Sequence, residues 1–174
     1  MTALLSTLRS LLAYTMWADR QVLEALAEVP PAHLTQDTGS SFGSMLGTMA
    51  HILGAEQVWL SRLVGAPLER LPSERDYADL PSLAAGFVDL WPQLEVFMAS
   101  LTEAQLATSF SWVNFAGESH HAPFHQVLYH FANHSTYHRG QVALQMRQLG
   151  HQPPGTDLVY WHSPIRSEPR LDRP

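Results

Sequence analysis

Apolar residues recur at steps of three and four in four segments of about 20 residues each, and this spacing constrains the fold more than any other feature. The segments cover residues 3–28, about 42–64, about 82–101 and about 123–149. Clusters of proline and glycine, which end helices, separate them. Four amphipathic helices joined by loops predict an all-α four-helix bundle that forms one domain over residues 1–162.

The stretches between the predicted helices are rich in residues that favour loops. Residues 31–43 combine Thr, Ser, Gly and Asp, and residues 65–81 contain three prolines, so both are predicted to be loops. From Gln152 onward the chain carries five prolines and is predicted to be extended. Its last part, residues 163–174, is predicted to be a tail outside the domain.

Two local features modify this simple pattern. Pro92 interrupts the third helix and predicts a kink or break near Trp91. Residues 109–119 are aromatic and β-branched around an Asn-Phe-Ala-Gly turn, which predicts two short strands or an extended crossover between the third and fourth helices.

Composition excludes several classes of function. The 174 residues include no cysteine and no lysine, so thiolate metal sites, cysteine nucleophiles and Schiff-base chemistry are excluded. A net charge of -6 argues against binding to the phosphate backbone of nucleic acids. The sequence offers neither a signal peptide nor a stretch apolar enough to span a membrane, so a cytoplasmic protein without membrane partners is expected.

Histidine is the unusual residue type, with ten copies in the chain. His130, His134 and His138 recur every four residues on one face of the fourth helix. Neighbours at this spacing lie about 6 Å apart along the axis, and two such imidazoles can share one metal ion, whereas residues eight apart cannot. The spacing therefore leaves two pairs open, His130 with His134 or His134 with His138.

His51 is the best candidate for a third ligand, because it lies in the middle of the second helix among small neighbours. Three neutral imidazoles around a divalent ion leave at least one position open, as catalytic metal sites do. The other six histidines lie in predicted loops, in the tail or at the start of the fourth helix, and are predicted to be solvated: His33, His120, His121, His125, His151 and His162.

Three motifs resemble the DinB/YfiT-like family of metal-dependent proteins. Residues 133–141, Asn-His-Ser-Thr-Tyr-His-Arg-Gly-Gln, are similar to that family's signature. Residues 48–53, followed by Glu56 and Trp59, resemble its first histidine segment, and residues 14–19 resemble its first helix motif. The resemblance covers about residues 5–161.

The resemblance implies a four-helix bundle, commonly a homodimer, that holds one divalent metal ion, zinc or nickel. The implied ligands are His51, His134 and His138, with His130 in the second shell or lining the pocket. The apolar surplus of the first and third helices is consistent with a dimer face, although it could equally be core.

The resemblance also implies a metalloenzyme that transfers a low-molecular-weight thiol, such as mycothiol or bacillithiol, or that hydrolyses an unknown small molecule. Glu56 and Asp19 are candidates for a base near the metal, against the alternative that both are solvated surface carboxylates. Tyr137 either orients a substrate or fills the core. The alternative functions are a non-catalytic metal-binding stress-response protein, and a bundle that has kept its ligands but lost activity.

Overall fold

The computed structural model describes residues 2–163, which form four long helices connected by short helices and one hairpin. In chain order the helices are α1 (Ala3–Ala27), α2 (Pro31–Leu34), α3 (Met45–Leu63), α4 (Leu80–Ser100), α5 (Glu103–Leu106), α6 (Phe124–Gln148) and α7 (Leu158–His162). A 3₁₀ turn covers Glu74–Asp76. The all-α bundle predicted from apolar spacing is confirmed.

Three of the four long helices begin where a side chain accepts a hydrogen bond from a free amide of the first turn, whereas α6 begins after Pro123 without such a cap. Thr2 caps α1, Ser44 caps α3 and Asp79 caps α4. In α3 the hydroxyl of Ser44 accepts from the amide of Gly47 at 3.0 Å. This helix therefore begins three residues later than its predicted start, which leaves Phe42 free to cover the site described below.

Short helices replace irregular structure in three places where the sequence prediction was wrong. α2 lies inside the predicted loop 31–43, where Pro31 presets the backbone of a first turn. The 3₁₀ turn lies in the predicted loop 65–81, and α7 lies in the stretch predicted to be extended. Segments of three to five residues are too short to show an apolar periodicity.

Pro92 does not break α4, which continues through it. Proline removes the hydrogen bond to the carbonyl four residues earlier, here that of Val88. Both residues lie on the exposed side of the helix, where water can satisfy that carbonyl. The predicted break is therefore wrong.

The core forms where α3 and α1 pack on α6, and α4 packs on α1 and α3. Most of the apolar residues that suggested a dimer face are buried within this single chain, namely Leu5, Leu8, Leu12, Phe87, Leu90, Trp91, Leu94, Phe97 and Met98. Leu4 alone of that set is exposed, and Leu11 is half-buried. The apolar surplus of these helices is explained by the core.

The segment between α5 and α6 is an antiparallel hairpin, the first of the two predicted alternatives. Strand β1 (Ser109–Val113) pairs with β2 (Ser119–Pro123), and Trp112 lies opposite His120. Gly117 adopts a φ of 82° in the turn, a conformation that favours glycine. The hairpin contacts α6 and places Trp112 next to α3.

No helix within residues 2–163 combines the length and apolarity needed to cross a membrane. Of the predicted tail, residues 164–174 lie outside the described residues.

Candidate metal centre

Two long helices bring three histidines together. α3 contributes His51, and α6 contributes His134 and His138, one turn apart. One ring nitrogen from each lies within 4.8 Å of the others, and the Nε2 atoms of His51 and His134 are 3.3 Å apart. Of the two pairs that spacing left open, the structure joins His134 and His138 to His51. That these residues bind a metal stays a prediction.

His130 lies next to this cluster without being part of it. Its ring centroid is 5.7 Å from that of His134 and 5.0 Å from that of Trp59. His130 is thus a neighbour of the cluster on the same helix, and its role in the second shell or in lining the pocket stays a prediction.

The surroundings of the cluster keep His51 and His134 uncharged. Burial, together with the nearby His138, lowers the pKa of His51 to about 4. Burial and the adjacent histidines lower the pKa of His134 to about 3. At neutral pH these two rings are therefore in the uncharged form that coordinates metal ions.

Gln141 orients His138, and sequence reasoning missed this role. Its side-chain oxygen lies 2.8 Å from Nδ1 of His138, so that Nδ1–H donates and Nε2 keeps its lone pair for the cluster. The signal in the sequence was a glutamine three residues after the histidine, within reach on the same helix face.

Phe42 covers the cluster from the loop before α3. Its ring stacks on His51 with centroids 3.9 Å apart and an angle of 16° between the planes. It also meets His138 edge-on at 5.4 Å. The ring restricts the rotation of His51 and excludes water from one side of the cluster.

The residues present fit a divalent ion. Three neutral imidazoles are the donor set of many zinc sites, and one of them is already oriented by an amide outside the cluster. No carboxylate joins these three nitrogens in the described part of the chain. Three protein ligands leave a coordination position for an exogenous group.

Asp19 and Glu56 are not solvated surface carboxylates, as one alternative held, but are buried in the core at 0% and 1% exposure. Asp19 Oδ1 accepts a hydrogen bond from Arg139 at 2.8 Å, and Arg139 is also buried. Glu56 Oε1 accepts from the hydroxyl of Ser135 at 2.6 Å. These side chains form a buried polar network that ties α1 and α3 to α6.

The surroundings of Glu56 favour its protonated form. Burial raises the pKa of both carboxyls, and the Arg139 charge partly offsets this effect for Asp19. The two carboxyls lie within hydrogen-bonding reach of each other, while Asp19 Oδ2 and Glu56 Oε2 have no other partner within residues 2–163. A neutral Glu56 that donates to the Asp19 carboxylate satisfies both oxygens and leaves one anion beside one cation.

Tyr137 does not fill the core, because it is 65% exposed. Its ring meets His138 edge-on, with centroids 4.9 Å apart. It therefore lies at the rim of the histidine cluster, where it can contact a bound molecule.

Three of the histidines predicted to be solvated are half-buried and have partners, and the exposed His120 lies 3.1 Å from the amide nitrogen of Asn114. Nδ1 of His33 and Nε2 of His151 are 2.9 Å apart. The half-buried His125 donates from Nδ1 to the carbonyl of Leu106 at 3.1 Å. None of these side chains joins the cluster.

One cavity borders the cluster, and a second borders its neighbour His130. One of about 290 Å³ borders His51 and is lined by Phe42, Gly47 and residues 71–75, which include Glu74 and Arg75. The other, of about 180 Å³, borders His130. A larger cavity of about 960 Å³ lies between α1, α6 and residues 154–158, and the three clustered histidines do not line it.

Comparisons with known proteins agree with this architecture. The sequence profile described as "DinB family" matches residues 2–170. The chain is similar to Protein DinB of Bacillus subtilis (strain 168), with 25% identity over 151 residues that cover 83% of this chain and 87% of the relative. It is also similar to the crystal structure of a DinB-like protein from Bacillus cereus ATCC 10987, with 25% identity, a TM-score of 0.60, and coverage of 82% of this chain and 91% of that one.

Proposed function

The chain belongs to the DinB family, and on that premise we propose that it holds one divalent metal ion, zinc or nickel, and uses it to transfer a low-molecular-weight thiol to a small substrate. The observation that carries the proposal is the cluster of His51, His134 and His138, whose ring nitrogens lie within 4.8 Å of one another. A divalent ion bound there would lower the pKa of a thiol and bring its thiolate form within the physiological range.

The chain's own residues would prepare the site for that chemistry. Gln141 holds His138 in the tautomer that presents Nε2. Phe42 stacks on His51 and limits access of water. Tyr137 lies exposed at the rim, where its hydroxyl can contact an entering molecule. In the transfer, the sulfur forms a bond to an electrophilic carbon while the leaving group departs with its electron pair.

Two features favour transfer over hydrolysis. Asp19 and Glu56 are held by Arg139 and Ser135 inside the core, so neither can serve as a carboxylate base for an attacking water. One cavity also borders His51 of the cluster and another borders its neighbour His130, so two reactants have room close to the cluster.

With this function we propose that the protein is a homodimer in the cytoplasm, where it binds a thiol that is kept reduced. Thiols stay reduced there, whereas oxidising compartments convert them to disulfides. The absence of cysteine means that the protein itself offers no thiol to compete with the small-molecule one.

The test is a titration of the cobalt-substituted protein with cysteine and 2-mercaptoethanol, followed by visible absorbance. The proposal expects a thiolate-to-cobalt charge-transfer band that saturates with one thiol per ion. The His134→Ala variant should lose both the cobalt spectrum and the thiol response, while His121→Ala, which removes an exposed histidine of the hairpin, should keep both.

The same titration separates the alternative function. A cobalt site whose spectrum is unchanged by any thiol has no position open to a thiol, and it would instead support the non-catalytic metal-binding stress-response protein. Absence of cobalt binding would overturn both functions.

A further inference from the structure

Aromatic side chains from three separate elements surround the cavity beside His130. Trp59 of α3 and Trp112 of β1 meet edge to face, with centroids 5.3 Å apart. Trp59 and His130 of α6 meet in the same way at 5.0 Å. Ala122, Gln126 and Val127 complete the lining. Both tryptophans are only half-buried, so their rings still expose apolar area that an occupant could cover.

The volume of this cavity matches a single ring. It measures about 180 Å³. An apolar cavity of about 150 Å³ in another protein binds benzene, so one six-membered ring fits here and a fused polycyclic system does not. Edge-to-face packing on three aromatic walls favours an aromatic occupant over an aliphatic one of equal size.

The walls are held in place by contacts outside the cavity. The guanidinium of Arg62 lies 5.1 Å from the ring centroid of Trp59, and Arg62 also donates to the carbonyl of Val113 at 3.3 Å. Trp112 stacks on His120 at 5.5 Å on the other strand. Arg62 thus ties the hairpin to α3, and the cavity does not need a ligand to form.

The cavity lies one helical turn from the candidate metal ligands. His130 is both a wall of the cavity and a neighbour of His134, with 5.7 Å between the ring centroids. A molecule whose ring occupies the cavity would therefore lie on one side of His130, and a substituent that reaches past His130 would approach the histidine cluster.

We infer that the cavity between Trp59, Trp112 and His130 binds an aromatic ring of the electrophilic substrate, whose reacting carbon then lies at the histidine cluster. This inference rests on the proposed function for the reaction, but the binding of a ring can be measured without it. The substrate class is a small molecule with one uncharged six-membered aromatic ring joined to the reacting carbon by a short linker.

The first experiment uses the metal-free protein and phenol, with cyclohexanol as the aliphatic match. Phenol should shift the indole N–H resonances of Trp59 and Trp112 in a saturable way, and the signal of the buried Trp91 should not move. Equal binding of cyclohexanol, or no saturable shift of the two indoles, would overturn the inference.

Three variants test whether phenol binds in this cavity. Trp112→Ala removes a wall, and Ala122→Leu fills the cavity while leaving the aromatic rings in place; each should weaken phenol binding at least tenfold. Trp161→Ala is the matched control, because Trp161 packs on Trp17 away from the cavity. If Trp112→Ala disrupts the hairpin, the Ala122→Leu variant still tests where phenol binds. Unchanged phenol binding in Ala122→Leu would refute the assignment of phenol to this cavity.

The second experiment compares 2-phenylethanethiol with ethanethiol on the cobalt-substituted protein. The ring should increase affinity at least tenfold, about 1.4 kcal/mol, and Ala122→Leu should abolish this gain without changing the affinity for ethanethiol. If neither thiol binds while phenol still does, the proposed function fails and the ring site stands. If both thiols bind equally and phenol shifts nothing, the ring site fails and the proposed function stands.

Discussion

Replacing Glu56 by glutamine tests whether a proton is held in the core. Glutamine has the shape of a neutral glutamic acid: its oxygen can accept from Ser135, and its amide nitrogen can donate to the carboxylate of Asp19. Because both contacts of Glu56 survive, we expect Glu56→Gln to change the free energy of unfolding by less than about 1 kcal/mol near pH 4, where Glu56 is largely protonated in the unfolded wild-type chain as well.

The Glu56→Ala variant shows how much stability is lost when the side-chain contacts of Glu56 are removed. The truncation leaves Asp19 Oδ2 without a partner in a fully buried site, while the Ser135 hydroxyl keeps only its 3.4 Å hydrogen bond to the carbonyl of Phe131. The orphaned oxygen costs about 1–3 kcal/mol and the lost Ser135 bond about 1 kcal/mol, so the expected loss is about 2–4 kcal/mol. For a chain of this length, that corresponds to a fall in the melting temperature of roughly 4–16 °C.

The pH dependence of stability distinguishes a protonated Glu56 from an ionised one more clearly than a measurement at a single pH. The pKa of Glu56 is raised well above its usual value in the folded state, so above about pH 4.5 the fold holds a proton that the unfolded chain releases. The contribution of Glu56 to wild-type stability therefore falls as pH rises above about 4.5, by about 1.4 kcal/mol per pH unit until the folded-state pKa is reached. Glutamine does not titrate. Between pH 5.5 and pH 7.5, the free energy of unfolding of Glu56→Gln should therefore rise relative to that of the wild type by up to about 2.7 kcal/mol.

The assay is thermal and urea unfolding followed by circular dichroism at several pH values. Glu95→Gln, at an exposed position of α4, is the control and should show no such trend. The reasoning is refuted if Glu56→Gln is as destabilising as Glu56→Ala, or if its difference from the wild type is the same at pH 5.5 and pH 7.5, since either result means that Glu56 is ionised in the fold.

Four further predictions concern the metal centre and assembly. His134→Ala should abolish metal binding measured by competition with a chelating dye, while His130→Ala and the control His121→Ala should bind as the wild type does; loss of binding in His130→Ala alone would show that the other pair is used. Gln141→Leu should lower metal affinity about 10–100-fold, because His138 loses the acceptor that orients it; unchanged affinity would contradict that role. In the metal-free Glu56→Gln variant, where position 56 does not titrate, stability should fall as pH falls from about 6.5 toward 4, because the unfolded chain takes up protons that His51, with its pKa of about 4, does not bind in the fold; metal at 100 times Kd should add about 2.7 kcal/mol to the wild type at pH 7. Light scattering should find a homodimer, and a particle of 19.4 kDa at micromolar concentration would contradict it.

The long helices and the histidine cluster could be predicted from the sequence because both depend on the spacing of residues along a helix. Apolar steps of three and four mark the buried faces of α1, α3, α4 and α6. The same geometry places His134 and His138 on one face, and helices that pack in a bundle can bring a residue such as His51 opposite them. The choice between the two histidine pairs came from the resemblance, since spacing treats them alike.

The buried network was not predictable in the same way. Asp19, Glu56 and Arg139 each occupy the apolar side of a helix, which is a signal that such charges need partners. Which of them pair depends on how three helices pack together, over sequence separations of up to 120 residues. Phe42 was also missed, because its role follows from where α3 begins.

The contact between Glu56 and Ser135 has a consequence for how an ion is acquired. It joins α3 to α6 beside the His51–His134 pair, and it needs no ion to form. Small zinc domains unfold when their metal is removed, because the ion supplies their folding energy. Here α3 and α6 are already held together without an ion, so metal binding would be a local event at a site that is formed in advance. A chelator should therefore leave a folded protein that takes up metal again without refolding, and the ion could exchange with cellular pools within the lifetime of one molecule.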